Sequence, residues 1–172
     1  NGRRLTLDSG DTVGIPPGHF LLVQSGAFAG SGSIINNGPF SLDGTINNTT
    51  LSFTVGPSNL SGTGTLNLTS LAGNVAFIRN DDGLLTIGAG QTIAGSGRIG
   101  IGANTGDLIN NGTNNANQNG RTLMLQPGIN FTPGATAVNE ATNGGILELL
   151  GTYNGGTYQA FAGSQVLLHA AL

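Results

Sequence analysis

Apolar residues in this chain come in pairs separated by a single residue of another kind, and each pair follows a glycine-bearing turn. The phrase is clearest in three copies between 119 and 172: NGRTLML (119–125), NGGILEL (143–149) and AGSQVLL (162–168). Their alternating pairs are Leu123 and Leu125, Leu147 and Leu149, and Val166 and Leu168. A period of two marks a strand with one face buried, and the Gly frees the backbone to turn into it. The copies lie roughly 24 and 19 residues apart, the length of one coil in a stacked repeat. One such strand cannot bury its apolar side alone, so each is expected to stack on the next.

Fainter copies fill the rest of the chain: NGRRLTL (1–7) with Leu5 and Leu7, GTGTLNL (62–68) with Leu66 and Leu68, and DDGLLTI (81–87) with Leu85 and Ile87. These twelve apolar residues are the expected core ladder. AGSGSI (29–34) returns as AGSGRI (94–99), and INNG (35–38) returns at 109–112. The unequal offsets, about 65 and 74 residues, point to an insertion in the second copy, placed at IGANTGD (101–107), since loops tolerate extra length. Pro16 and Pro17 mark a corner where no ladder donor is needed. PGINFTPGATAVNEA (127–141) reads as a bulged loop that blurs a rung boundary.

No window combines a helical apolar period with helix-forming residues, because Gly, Asn, Thr and Pro punctuate every ten. The pattern therefore predicts an all-β parallel β-helix (β-solenoid) of about eight rungs of roughly 21 residues, built from short strands, three to a rung. It is one domain, 1–172, with less regular rungs over 1–106 and three clearer ones over 107–172.

Composition sharpens this. Thirty-one Gly among 172 residues, with 8% charged and 5% aromatic residues, suit tight turns more than an ordinary globular core. The 37% hydrophobic share is enough to order the chain. There is no Lys, and Arg3, Arg4, Arg79, Arg98 and Arg121 are too few for a nucleic-acid footprint or a polybasic membrane surface. Zero Cys removes disulfides and thiolate metal sites. No apolar run approaches a membrane span, and NGRRLTLDSG lacks a signal-peptide core, so an export signal is expected to lie outside this segment.

The stretches LTIGAGQTIAGSGRIG, LINNGTNNANQNGRTLMLQPG, EATNGGILELLGTYNGGTYQA and AGSQVLL resemble the glycine- and asparagine-rich solenoid repeats of very large bacterial surface and secreted proteins. These include autotransporter passenger domains and filamentous-haemagglutinin-like exoproteins. The resemblance covers 85–172 well and 1–84 more thinly. It implies a right-handed parallel solenoid on the bacterial exterior, with roles in adhesion, matrix building or spacing a functional tip from the cell. It implies no catalytic residues.

Candidate chemistry is sparse. The Asn pairs at 36–37, 47–48, 110–111 and 114–115 suit axial amide ladders or left-handed turns. Asp81 and Asp82 form the one acidic doublet, a weak Ca²⁺ candidate against a plain turn. Glu140 and Glu148 are eight residues apart, Asp107 falls in a loop, and His19 and His169 have no nucleophile motif beside them. Catalysis is therefore not expected, nor any cofactor. Thr63-Gly-Thr65 is similar to the Thr-x-Thr of ice-binding solenoids, without recurring rung after rung. Tyr153 and Tyr158 are candidates for stacking on a glycan, against the alternative that they fill the interior.

The chain opens directly on RRLTL and closes on QVLLHAAL, with neither an amphipathic helix nor a charged strand to cover an end layer. Either the chain is a segment of a longer solenoid or its last rung stacks on the first rung of another copy. The second is favoured, with end-to-end self-association expected through strands 3–7 and 165–172 and Leu5, Leu7, Val166, Leu167 and Leu168 as contacts. The expected function is that of a structural fibre, stalk or adhesin shaft outside a bacterial cell. The rivals are a module that binds polysaccharide or a host surface and, less favoured, a polysaccharide-degrading enzyme.

Overall fold

The computed structural model describes residues 4–15, 21–24, 27–53, 57–80, 83–100, 107–126, 131–151, 153 and 155–169. The strands run in chain order as β1 (Arg4–Ile15), β2 (Leu21–Gln24), β3 (Ala27–Asn36), β4 (Phe40–Gly44), β5 (Thr49–Phe53) and β6 (Ser58–Ser61). They continue as β7 (Thr65–Ser70), β8 (Ala76–Asn80), β9 (Leu84–Ile87), β10 (Thr92–Gly95), β11 (Gly97–Ile99), β12 (Asp107–Asn110) and β13 (Thr113–Ala116). The last are β14 (Thr122–Leu125), β15 (Phe131–Pro133), β16 (Val138–Ala141), β17 (Ile146–Leu150), β18 (Thr157–Ala160) and β19 (Gln165–His169). There is no helix among the described residues.

Every strand-to-strand pairing is parallel, and partners lie about one coil apart in sequence, which makes the chain an all-β parallel β-solenoid. Three faces result. The first stacks β1, β3, β5, β8, β11, β14, β17 and β19. The second begins on the later halves of β1 and β3 and continues through β6, β9, β12 and β15. The third runs β2, β4, β7, β10, β13, β16 and β18. Long strands β1 and β3 bend from the first face into the second, so the two faces share one sheet there.

The alternation read from the sequence sets which side chains point inward. On the first face Leu51, Ile78, Ile99, Leu125 and Leu149 are successive register partners, and all are sealed from solvent. On the second face Ser58, Leu85, Leu108 and Phe131 form one column and Leu60, Ile87 and Asn110 another. On the third, Phe40, Leu66, Ile93, Asn114, Asn139 and Tyr158 follow in line. Each sealed Leu or Ile contributes roughly 1.5–3 kcal/mol of transfer free energy.

Corners stack as regularly as strands. Gly64 donates to the Asn36 carbonyl at 2.8 Å, and the Gly64 carbonyl accepts from Thr92 at 3.2 Å. Gly95 shows why glycine is needed: its φ is +114°, and a Cβ there would run into the Leu68 carbonyl oxygen.

Two expectations change. The stretch 127–141 is no bulged loop over its described part, since β15 and β16 pair in register with β12 and β13 across a turn closed by Ala137 donating to Gly134. The two AGSG phrases are not equivalent, because 29–34 turns from the first face to the second whereas 94–99 turns from the third face to the first. Their offset therefore carries no information about an insertion. The two INNG phrases are equivalent: Asn36 and Asn110 each end a second-face strand and are buried. The proposed insertion site at 101–106, Pro16, Pro17 and His19 lie outside the described residues.

Candidate functional site

The candidate surface lies where the ladders reach the last described coil. The three phrases that organise the sequence stack directly on one another: Leu123, Leu147 and Val166 are register partners, as are Leu125, Leu149 and Leu168. Leu66, Leu68, Leu85, Ile87, Leu123, Leu125, Leu147 and Leu149 are fully excluded from solvent. Leu168 occupies the next inward position and is 68% exposed, because no described layer covers it. It stands on the last described coil, in line with the buried residues beneath it. Ala160, inward above buried Ala141, is exposed likewise, and Val166 is half-buried. Leu167 instead points out of the first face above Glu148, so it belongs to the flank. For Leu5 and Leu7 the strand and register are described, but not the side chains.

Beneath this layer sits an aromatic cluster. The Phe131 and Tyr153 rings meet edge-on at 4.9 Å, and Tyr153 and Tyr158 at 6.4 Å. The Tyr153 hydroxyl donates to the carbonyls of Leu125 at 2.7 Å and Leu150 at 3.0 Å. Burial pushes its ionisation well above the ordinary tyrosine range, and burial raises Tyr158 as well. Both rings pack on the core, and the Tyr158 hydroxyl is buried. This arrangement packs both partly buried rings against the core, the alternative to a sugar platform.

The polar candidates divide between ladders and turns. Asn114 donates to Asn139 at 2.9 Å inside the solenoid, while Asn115 donates to Glu140 at 2.7 Å outside it. Glu140 also accepts from Gln159 at 2.8 Å, and Thr142 donates to Asn115 at 2.9 Å, so this column is bonded along the axis. Asn110 instead folds onto Gly112 in a local turn. Glu140 and Glu148 sit on different faces, the third and the first, and Glu148 pairs with His169 at 3.1 Å in a partly exposed contact of small energetic weight. Asp107 is on β12, on the second face. Asp81 and Asp82 lie outside the described residues, among which no group of three or more His, Cys, Asp or Glu could hold a metal.

A further pattern escaped the linear reading. Thr65, Thr92, Thr113 and Thr157 stand in one outward column of the third face, broken only by Val138. Unequal coil lengths hide it in the sequence, and only strand register exposes it.

No family model, no curated protein and no solved structure matches this chain.

Proposed function

We propose that this chain is a non-enzymatic structural protein of the bacterial exterior: a right-handed solenoid of about eight coils that stacks end to end as a fibre or stalk. The observation that carries this reading is the continuation of the inward ladder to Leu168 and Ala160, open to solvent directly above a fully sealed layer. Parallel crossovers are right-handed almost without exception, which supports the handedness. The first-face strand order supports the coil number. The exterior setting rests on the likeness of the repeats to those of large surface proteins.

The occupant proposed for the open layer is the first coil of a second copy, and a further coil of one longer chain would fit the same layer. A coil laid on β18 and β19 would pair their outer edges, which have no described neighbour, and would cover Val166, Leu168 and Ala160 in the geometry that each lower coil already uses. Such contacts are heterologous and do not close, so they generate filaments. A few large side chains at roughly 1.5–3 kcal/mol each, plus two strands of ladder, offset the entropy of association. Negative-stain microscopy of the purified chain over a concentration series tests this. Filaments with an axial repeat of roughly 40 Å, from about eight coils spaced about 4.8 Å, are expected. Rods of one length at every concentration would show that end-to-end stacking is wrong.

A further inference from the structure

A groove of about 250 Å³ opens on the flank, where the third face turns into the first. It is lined by Ser70, Val75, Gly97, Arg98, Thr122, Met124 and Glu148. Arg98, Met124 and Glu148 are successive outward register partners on β11, β14 and β17, so the groove runs along the solenoid axis.

Its chemistry is unlike the rest of the surface. Arg98 is half-buried as a residue, and its guanidinium has no hydrogen-bond or ion-pair partner among the described residues. Arg121 borders the same wall, donating to the Ser70 carbonyl at 2.7 Å. Arg98 thus lines the groove itself, and Arg121 stands beside it, bonded to one of the lining residues. The wall behind them is rigid: the Ser70 hydroxyl donates to the Ser96 carbonyl and accepts from the Ala76 amide, and Ser96 donates to Gln118 at 2.7 Å. Val75 and Met124 give an apolar patch, and the Thr122 hydroxyl has no partner among the described residues. At the far end Glu148 uses one carboxylate oxygen on His169.

We propose that this groove binds a single acidic sugar residue of a uronic-acid-containing polysaccharide. A carboxylate satisfies the unpaired guanidinium in a bidentate, charge-assisted contact. The ring's C–H side lies on Val75 and Met124, Thr122 bonds to a ring hydroxyl, and the free oxygen of Glu148 accepts from another. A small inorganic anion would leave the apolar patch and Thr122 idle, and a run of consecutive acidic sugars would meet Glu148 with like charge, so the bound acid is one flanked by neutral sugars. The groove is on the flank, so it is open in a lone chain and in a stacked one, and its occupancy is independent of filament formation.

The test is an amide-shift titration of the chain, carried out in the Leu168→Asp background to keep copies apart. The probes are a glucuronate-terminated oligosaccharide, its glucose-terminated counterpart, and inorganic phosphate. We expect the acidic sugar to shift Gly97, Arg98 and Thr122. Arg98→Gln should weaken it at least about tenfold, as loss of a charged hydrogen-bond pair does. Thr122→Val should weaken it several-fold, and added salt should weaken it further. Arg98 holds no structural bond, so its variant should keep the parent spectrum elsewhere. Equal binding of the glucose probe, undiminished binding by Arg98→Gln, phosphate binding as tight as that of glucuronate, or no shifts at these residues with the acidic probe would each overturn the proposal. Because none of these readouts depends on filaments, they leave the stacking reading to its own experiment.

Discussion

At the scale of single residues, the solenoid asks adjacent amides to do opposite things. Asn114 and Asn115 are chemically identical neighbours, yet one is sealed inside and the other joins the Glu140 column on the surface. The inner pair is incompletely satisfied, since Asn114 Oδ1 and Asn139 Nδ2 have no partner within the protein. Replacing one amide alone should therefore destabilise the chain by about 1–3 kcal/mol, because the survivor loses its only bond. The double replacement Asn114→Leu with Asn139→Leu should recover most of that loss, giving a coupling measurable from urea-denaturation midpoints. Equal and additive losses would show that the pair does not act as a unit. Backbone geometry is as demanding: Gly95→Ala should cost about 1–3 kcal/mol from the positive φ alone, with the collision against Leu68 adding to it. A melting temperature unchanged by that substitution would contradict the corner geometry. The sequence shows that Asn and Gly fill turns. It cannot show which Asn of a pair faces inward, because that depends on the strand phase set by neighbouring coils.

At the scale of elements, legibility followed apolar alternation. The phrase shared by β14, β17 and β19 is plain in the sequence, and these strands are immediate neighbours on one face. Short strands such as β11 and β15, three residues each, carry too few positions to display a period, and β15 ends in Pro133. Recurrent AGSG misled because a tight corner imposes the same small residues wherever it occurs, regardless of which faces it joins. The aromatic cluster offers a direct test at this scale. Both tyrosines in the chain belong to it, so tyrosinate absorbance reports on it alone. Burial raises the folded-state pKa of each above the unfolded value near 10. Their contribution to stability is accordingly whole below about pH 10 and is lost as pH rises through the folded values. Titration should show ionisation delayed beyond the ordinary range and accompanied by loss of the last coils. Ordinary, reversible titration of both phenols with the fold intact would place them in solvent instead.

At the scale of the molecule, each coil touches little beyond its two neighbours, so stability is close to a sum of nearest-neighbour terms. The stacking reading separates two adjacent leucines on that basis. Leu168→Asp places charge on the inward end layer and should abolish filaments while leaving the lower coils folded, whereas Leu167→Asp, on the flank, should reduce assembly much less. Equal effects in sedimentation would contradict an end-layer contact. The groove was hidden from linear reading because Ser70, Arg98, Met124 and Glu148 come from four different coils. The unbroken parallel register has a mechanical side too. Coils are wound from one thread, so a pull on the two ends does not shear sheets past each other but unspools the thread one winding at a time. Each winding surrenders its three short ladders and pays out roughly 20–25 residues, on the order of 70–80 Å of chain. A shaft built this way yields in small, separate steps, dissipating load at its ends while the windings between them stay closed.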